Sequence, residues 1–157
     1  MAIHGSCLCG GVTFEFDRAD GPFEICHCSR CRKVSGAIGL PEITVKKEHF
    51  RLLSGAELIQ SWSAPILYSP PPYTVTFCSR CGSPVPFATE DAEELGIPAG
   101  LLDGDPGVKP DKHIYVEHTP AWDAITDDLP TFTRTEIHKH RTGQDWPHQT
   151  DSEKDSQ

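Results

Sequence analysis

Seven cysteines gathered into three short groups constrain this chain more than any other feature. Cys7 and Cys9 form a C-x-C pair, Cys26, Cys28 and Cys31 a C-x-C-x-x-C run, and Cys78 and Cys81 a C-x-x-C pair, with no cysteine outside a group. A disulfide framework fits poorly, because the count is odd, the partners lie two or three residues apart, and the opening MAIHGSCLCGG has no basic-then-apolar leader. A dithiol redox centre belongs beside a βαβ pattern, which is missing. Zinc fits, since thiolates one or two residues apart converge on a tetrahedral ion when a tight turn aims both sulfurs inward.

The groups divide without remainder into a site of four and a site of three. Phe77-Cys78-Ser79-Arg80-Cys81-Gly82 reads as a strand end followed by a knuckle turn, whose glycine lets backbone amides approach sulfur. It offers two ligands, and Cys7 with Cys9, followed by Gly10-Gly11, supplies the other two. Cys26, Cys28 and Cys31 are left for a second ion with one position open. Four protein ligands characterise structural zinc, whereas three with an exchangeable position characterise catalytic zinc. The competing possibility is closure of the second site by His27, His49, His113 or another side chain, which would make it structural too. His27, flanked by two ligands in an extended segment, is expected to point away and at most to line a pocket.

The rest of the chain points to short strands. Only 37% of its residues are apolar, while 14 are Pro and 13 are Gly, a composition suited to strands and tight turns. Val12, Phe14 and Phe16 alternate with polar neighbours, and further strands are expected at Ile43 to Val45, Leu58 to Trp62, Tyr73 to Phe77, Val85 to Ala88 and His113 to Glu117. Asp91 to Leu95 and Trp122 to Ile125 are each expected to make one helical turn. A single domain is expected over residues 1–137, followed by a polar, disordered tail over 138–157, whose His138, His140 and His148 are taken as solvated. The net charge of -9 and the lack of a long Lys/Arg run argue against nucleic-acid partners. No apolar run is long enough for a membrane span, so a soluble, cytoplasmic protein is expected.

The stretches GSCLCGGVTFEF, ICHCSRCRKVSG, FCSRCGSPV and HIYVEHTPAWDAITDDLPTF together make the chain resemble the glutathione-dependent formaldehyde-activating enzyme family, which includes the centromere protein V group. The resemblance runs from about Gly5 to Phe132. It implies a mainly β, Mss4-like fold of stacked antiparallel sheets with zinc knuckles. It also implies two zinc ions per chain, a structural one held by Cys7, Cys9, Cys78 and Cys81 and a catalytic one held by Cys26, Cys28 and Cys31. The implied activity is that of a carbon-sulfur lyase acting on a thiol-aldehyde adduct such as S-(hydroxymethyl)glutathione, with a small thiol, glutathione among the candidates, as partner.

Three thiolates make zinc a weaker Lewis acid than three imidazoles would, and suit it to holding a soft thiol as thiolate for addition to an aldehyde carbon. Arg32 and Lys33, directly after Cys31, are the local cations available to an anionic thiol. Ser35-Gly36 reads as a turn, His113 as a packed side chain, and Trp122 and Phe132 as anchors of the C-terminal segment. The alternative class is a non-enzymatic zinc-binding interaction module in which both metals are structural.

Overall fold

The computed structural model describes residues 2–66 and 72–147. Three small sheets carry the chain, and none of the strands exceeds seven residues among those described. In the first, β1 (Ile3–Ser6), β2 (Thr13–Phe16) and β5 (Phe50–Ser54) run antiparallel with β2 in the middle. In the second, β3 (Phe23–Cys26), β4 (Leu40–Lys46), β8 (Glu94–Pro98), β9 (Lys112–Ile114) and β10 (Thr131–Phe132) follow the order β10-β9-β3-β4-β8. The third is a hairpin of β6 (Ile59–Ser63) and β7 (Thr74–Cys78).

The alternation in β2 works as expected: Phe14 and Phe16 are fully buried, while Thr13 and Glu15 are only partly so. These rings meet Phe23, Ile43, Val45, Leu95 and Ile97, so one face of the five-stranded sheet packs on the first sheet. The opposite face, carrying Cys26, Leu40 and Ile114, builds a second core with Cys31 and Ile137. A third cluster, Cys7, Val12, Cys78 and Val85, joins the β1–β2 turn to the end of β7.

The mainly β architecture expected from the sequence is present, with several corrections. The five-stranded sheet is mixed, because β9 pairs in parallel with both β3 and β10. Val85 to Ala88 forms no strand; only a bridge between Pro84 and Phe77 occurs there. Asp91 to Leu95 makes no helical turn: a turn and bend up to Glu93 lead directly into β8, where Leu95 is buried opposite Val45. Trp122 lies in a turn and is 75% exposed, outside the buried clusters, whereas Phe132 does pack on the second core.

Helices are short and few, as expected: α1 spans Ser29–Ser35 and α2 spans Arg134–Thr142. The second crosses residue 138, where the polar tail was expected to begin. A capping box of Thr133 and Glu136 starts it, Gly143 ends it, and Ile137 is buried beneath it. His138 and His140 pack against Trp146 and Phe132, with ring centroids 5.0 and 5.1 Å apart; His148 lies outside the described residues. Among the described residues, no helix is long and apolar enough to cross a membrane.

Candidate metal centres and the adjoining cavity

Backbone hydrogen bonds set both turns that carry the first cluster. Gly10 N–H donates to Cys7 O at 2.8 Å and Cys7 N–H to Val12 O at 3.0 Å, while Gly82 N–H donates to Cys78 O at 2.8 Å. Gly82 takes φ +76°, a left-handed conformation that side-chain-bearing residues resist, and this folds Cys81 back toward Cys78. The two turns are tied by Leu8 N–H donating to Ser83 Oγ at 3.1 Å. The four sulfurs of Cys7, Cys9, Cys78 and Cys81 lie within 4.8 Å of one another. Cys7 Sγ is 3.5 Å from Cys9 Sγ, and Cys9 Sγ is 3.9 Å from Cys78 Sγ. Tetrahedral ligation with Zn–S bonds of ~2.3 Å places sulfurs ~3.8 Å apart, so the donor set fits the ion.

The second cluster sits where β3 passes into α1. Cys26 is the last residue of β3, Cys28 is the N-cap of α1, and Cys31 lies in its first turn, with its N–H donating to Cys28 Sγ at 3.3 Å. Their sulfurs also fall within 4.8 Å of one another. Hydrogen bonds from the Cys26 and Cys31 thiols and from the N–H groups of Cys31 and Arg30 hold Cys28 down to about 3, despite burial. Interaction with Cys28 and Cys31 pushes the buried Cys26 thiol strongly upward in turn. Full ionisation of the trio therefore calls for a bound cation.

None of the histidines considered as a fourth ligand joins this cluster among the described residues. His49 Nδ1 is bound to Asp20 Oδ2 at 2.7 Å. His27 points away, as its position between two ligands suggested: Nδ1 is 3.2 Å from Ile38 O and Nε2 is 2.8 Å from His113 Nδ1. His113 Nε2 lies 3.0 Å from Asp127 Oδ2, completing a chain across the sheet edge. Because the carbonyl can only accept, Nδ1 of His27 donates to it and Nε2 accepts from Nδ1 of His113. Burial first, and then the neighbouring His113, hold the His27 pKa below the usual imidazole value. The pair thus locks the Cys26–Cys28 loop onto β9, where His27 N–H also donates to Ile114 O at 2.9 Å.

A cavity of about 260 Å³ adjoins the three-cysteine cluster, lined in part by Val34, Leu40, Glu42, Tyr73, Phe87 and Glu94. Leu40 stands opposite Cys26 in register, and the Tyr73 hydroxyl is 3.7 Å from Cys31 Sγ. Glu42 is the feature that sequence reasoning missed. Burial, then the negative charge of Cys28 and Glu24, raises its carboxyl to about 7. A carboxylate within the apolar stretch Leu40 to Val45 was the available signal. Arg32 and Lys33 lie elsewhere, on a groove of about 300 Å³ shared with Ile38 and Trp122, and Arg32 Nε donates to His27 O at 3.3 Å. Ser35 ends α1 with its hydroxyl donating to Cys31 O at 2.8 Å, in keeping with a turn role.

A small, mainly β protein with two cysteine clusters, each spaced to hold a metal ion and one of them beside a cavity, is the class that fold and site define. Residues 2–118 match the glutathione-dependent formaldehyde-activating enzyme family, and the chain belongs to that family. A Halomonas elongata protein whose name assigns it to the same kind of enzyme is 33% identical over 125 residues, which cover 78% of this chain and 80% of that one. A solved structure of a Rhodobacter sphaeroides protein aligns at 25% identity with a TM-score of 0.49, over 65% of this chain and 89% of that one.

Proposed function

We propose that the chain is a zinc-dependent carbon-sulfur lyase acting on a thiol-aldehyde adduct, of which S-(hydroxymethyl)glutathione is the example the family name suggests, with one zinc at each cysteine cluster. The three-cysteine cluster carries this reading: among the described residues no fourth protein ligand joins it, and two residues next to it, Leu40 opposite Cys26 and Tyr73 beside Cys31 Sγ, also line a cavity. Bound there, zinc would supply stabilisation of a substrate sulfur as thiolate. The remainder is balanced within the substrate. As the C–S bond of R–S–CH2–OH breaks, its electron pair goes to sulfur, the O–H electrons form the C=O of formaldehyde, and the hydroxyl proton passes through cavity water to sulfur. Addition is the reverse. The cavity walls hold the adduct against the cluster, and the hydrogen bonds of Cys28 with Cys31 and of His27 with His113 fix the loop that presents the sulfurs. Seven thiols free of disulfides suit a reducing compartment such as the cytoplasm.

Cobalt substitution tests this reading, because cobalt in a thiolate site has absorption bands sensitive to its ligands. Adding millimolar 2-mercaptoethanol to the cobalt-loaded protein should change the bands of the three-cysteine site and leave those of the four-cysteine site alone. Unchanged spectra would favour the other class of protein, an interaction module with two structural metals.

A further inference from the structure

His27 and His113 are the two most deeply buried polar side chains among the described residues, at 2% and 4% exposure, and neither belongs to a cysteine cluster. Both nitrogens of each ring are engaged. His27 Nδ1 meets Ile38 O at 3.2 Å in the loop that follows α1, and its Nε2 meets His113 Nδ1 at 2.8 Å. At the far end Asp127 sets both carboxylate oxygens on His113 Nε2, at 3.1 and 3.0 Å. Asp127 is half-exposed, yet it is held in place: Leu129 N–H donates to its Oδ1 at 3.0 Å, and the His113 N–H donates to Pro130 O at 2.8 Å beside it. The outer torsion of a histidine is soft, so a ring takes one orientation only when its nitrogens are both held. Asp127 supplies the second hold on His113, and His113 the second hold on His27.

We propose that Asp127 is a positioning residue for the three-cysteine metal centre: acting through His113 on His27, it sets the orientation in which Cys26 and Cys28 meet the ion. The inference rests on metal binding at that cluster, which belongs to the reading above, and not on the identity of the thiol. His27 is the residue between two ligands, so the main chain that turns its ring to one side turns both sulfurs to the other. Its ring also has little room to move, since a Cβ at Gly39 would lie 3.4 Å from His27 Cε1. Partners behind a metal's ligands commonly act by orienting a ligand directly. Here the carboxylate reaches the ligands through two imidazoles and the backbone they hold.

The test follows cobalt at each cluster of the full chain, by its ligand-field bands and by competition with a chelator, in wild type, Asp127→Ala, Asp127→Asn, His113→Leu and the double variant Asp127→Ala/His113→Leu. Cys31→Ser supplies the spectrum of the four-cysteine cluster alone. Asp127→Ala should shift the bands of the three-cysteine cluster and weaken its cobalt affinity by about ten-fold or more, while the four-cysteine cluster stays within about two-fold. Asp127→Asn should restore most of that loss, because its amide oxygen can accept from both His113 Nε2 and Leu129 N–H where Oδ1 does. His113→Leu should cost at least as much as Asp127→Ala, and in that background Asp127→Ala should change the affinity by less than about two-fold, since no ring is left to act through. Unchanged bands and affinity in Asp127→Ala, or equal losses at both clusters, would overturn the positioning role, as would additive losses in the double variant. If His113→Leu does not fold, the contrast between Asp127→Ala and Asp127→Asn decides alone. A wild-type three-cysteine cluster that takes up no cobalt would remove this inference together with the metal-centred reading, whereas cobalt bands indifferent to added thiol would remove the thiol-binding reading and leave this one standing.

Discussion

Asp20 shows how one side chain can fasten a small domain. Its carboxylate accepts from Arg18 Nε at 3.1 Å, from the Lys46 N–H at 2.9 Å and from His49 Nδ1 at 2.7 Å. Burial by itself would raise its pKa, but the His49, Lys46 and Arg18 donors outweigh burial and hold the carboxyl well below the usual carboxylate range. Because the folded pKa is depressed, the stabilisation is complete above the unfolded value of ~3.9 and is lost as the pH falls through the folded one. Asp20→Asn should therefore lower the melting temperature at neutral pH, and the gap from wild type should narrow below about pH 4. Melts across that range check it; a gap constant down to the most acid folded condition would mean that the carboxylate's charge is not what stabilises. The same contact explains why His49, a candidate ligand on sequence grounds, does not reach the cysteines. Spacing along the chain identified both sulfur clusters, but a contact across 29 residues, such as Asp20 with His49, has no local signature.

At the scale of elements, period-two patterning revealed β2, where one face is buried, but not β8, whose buried Leu95 and Ile97 alternate with exposed Glu94 and Gly96. It also failed where both faces are occupied or where pairing alone makes the strand. Phe23 to Cys26 in β3 offers four residues without clear alternation, and β10 has only two residues, held by parallel pairing to β9. Glu42 was missed for a related reason: β4 begins at Leu40, before the apolar run that suggested a strand, so the face toward the cysteines was cut off. α2 escaped notice because its one deeply buried side chain, Ile137, stands among polar residues. That residue packs in the cluster containing Cys26, Cys31, Leu40 and Ile114, so the helix is part of the support beneath the candidate catalytic site. Ile137→Ala should cost about 2–5 kcal/mol, a core truncation with limited room to collapse. Thr133→Ala, which removes the N-cap, should cost about 1 kcal/mol. Urea denaturation should rank them in that order, and indistinguishable midpoints for Ile137→Ala and wild type would show that the helix is not docked.

For the whole molecule, the two clusters are linked to the fold in different ways. The four-cysteine cluster joins the β1–β2 turn to the end of β7, bringing together residues 69 apart in sequence, Cys9 and Cys78. Its sulfurs stand where a core would otherwise be thin: Cys7 and Cys78 are buried with Val12 and Val85 and few other side chains. The three-cysteine cluster draws on one segment of six residues and closes almost no loop, while its surroundings already contain Leu40, Ile114 and Ile137. Structural zinc contributes ~10–16 kcal/mol in small metal-bound peptides, comparable with the whole net stability of a domain at ~5–15 kcal/mol. Cys78→Ser should therefore unfold or aggregate the chain. Cys31→Ser should leave a folded protein with one zinc and no thiol response in the cobalt spectrum, somewhat destabilised because a buried hydroxyl replaces a sulfur that touches Tyr73. Thermal melts combined with metal counting on both variants separate the cases. Equal and complete unfolding of the two would make the second cluster structural and remove the principal physical support for an enzyme.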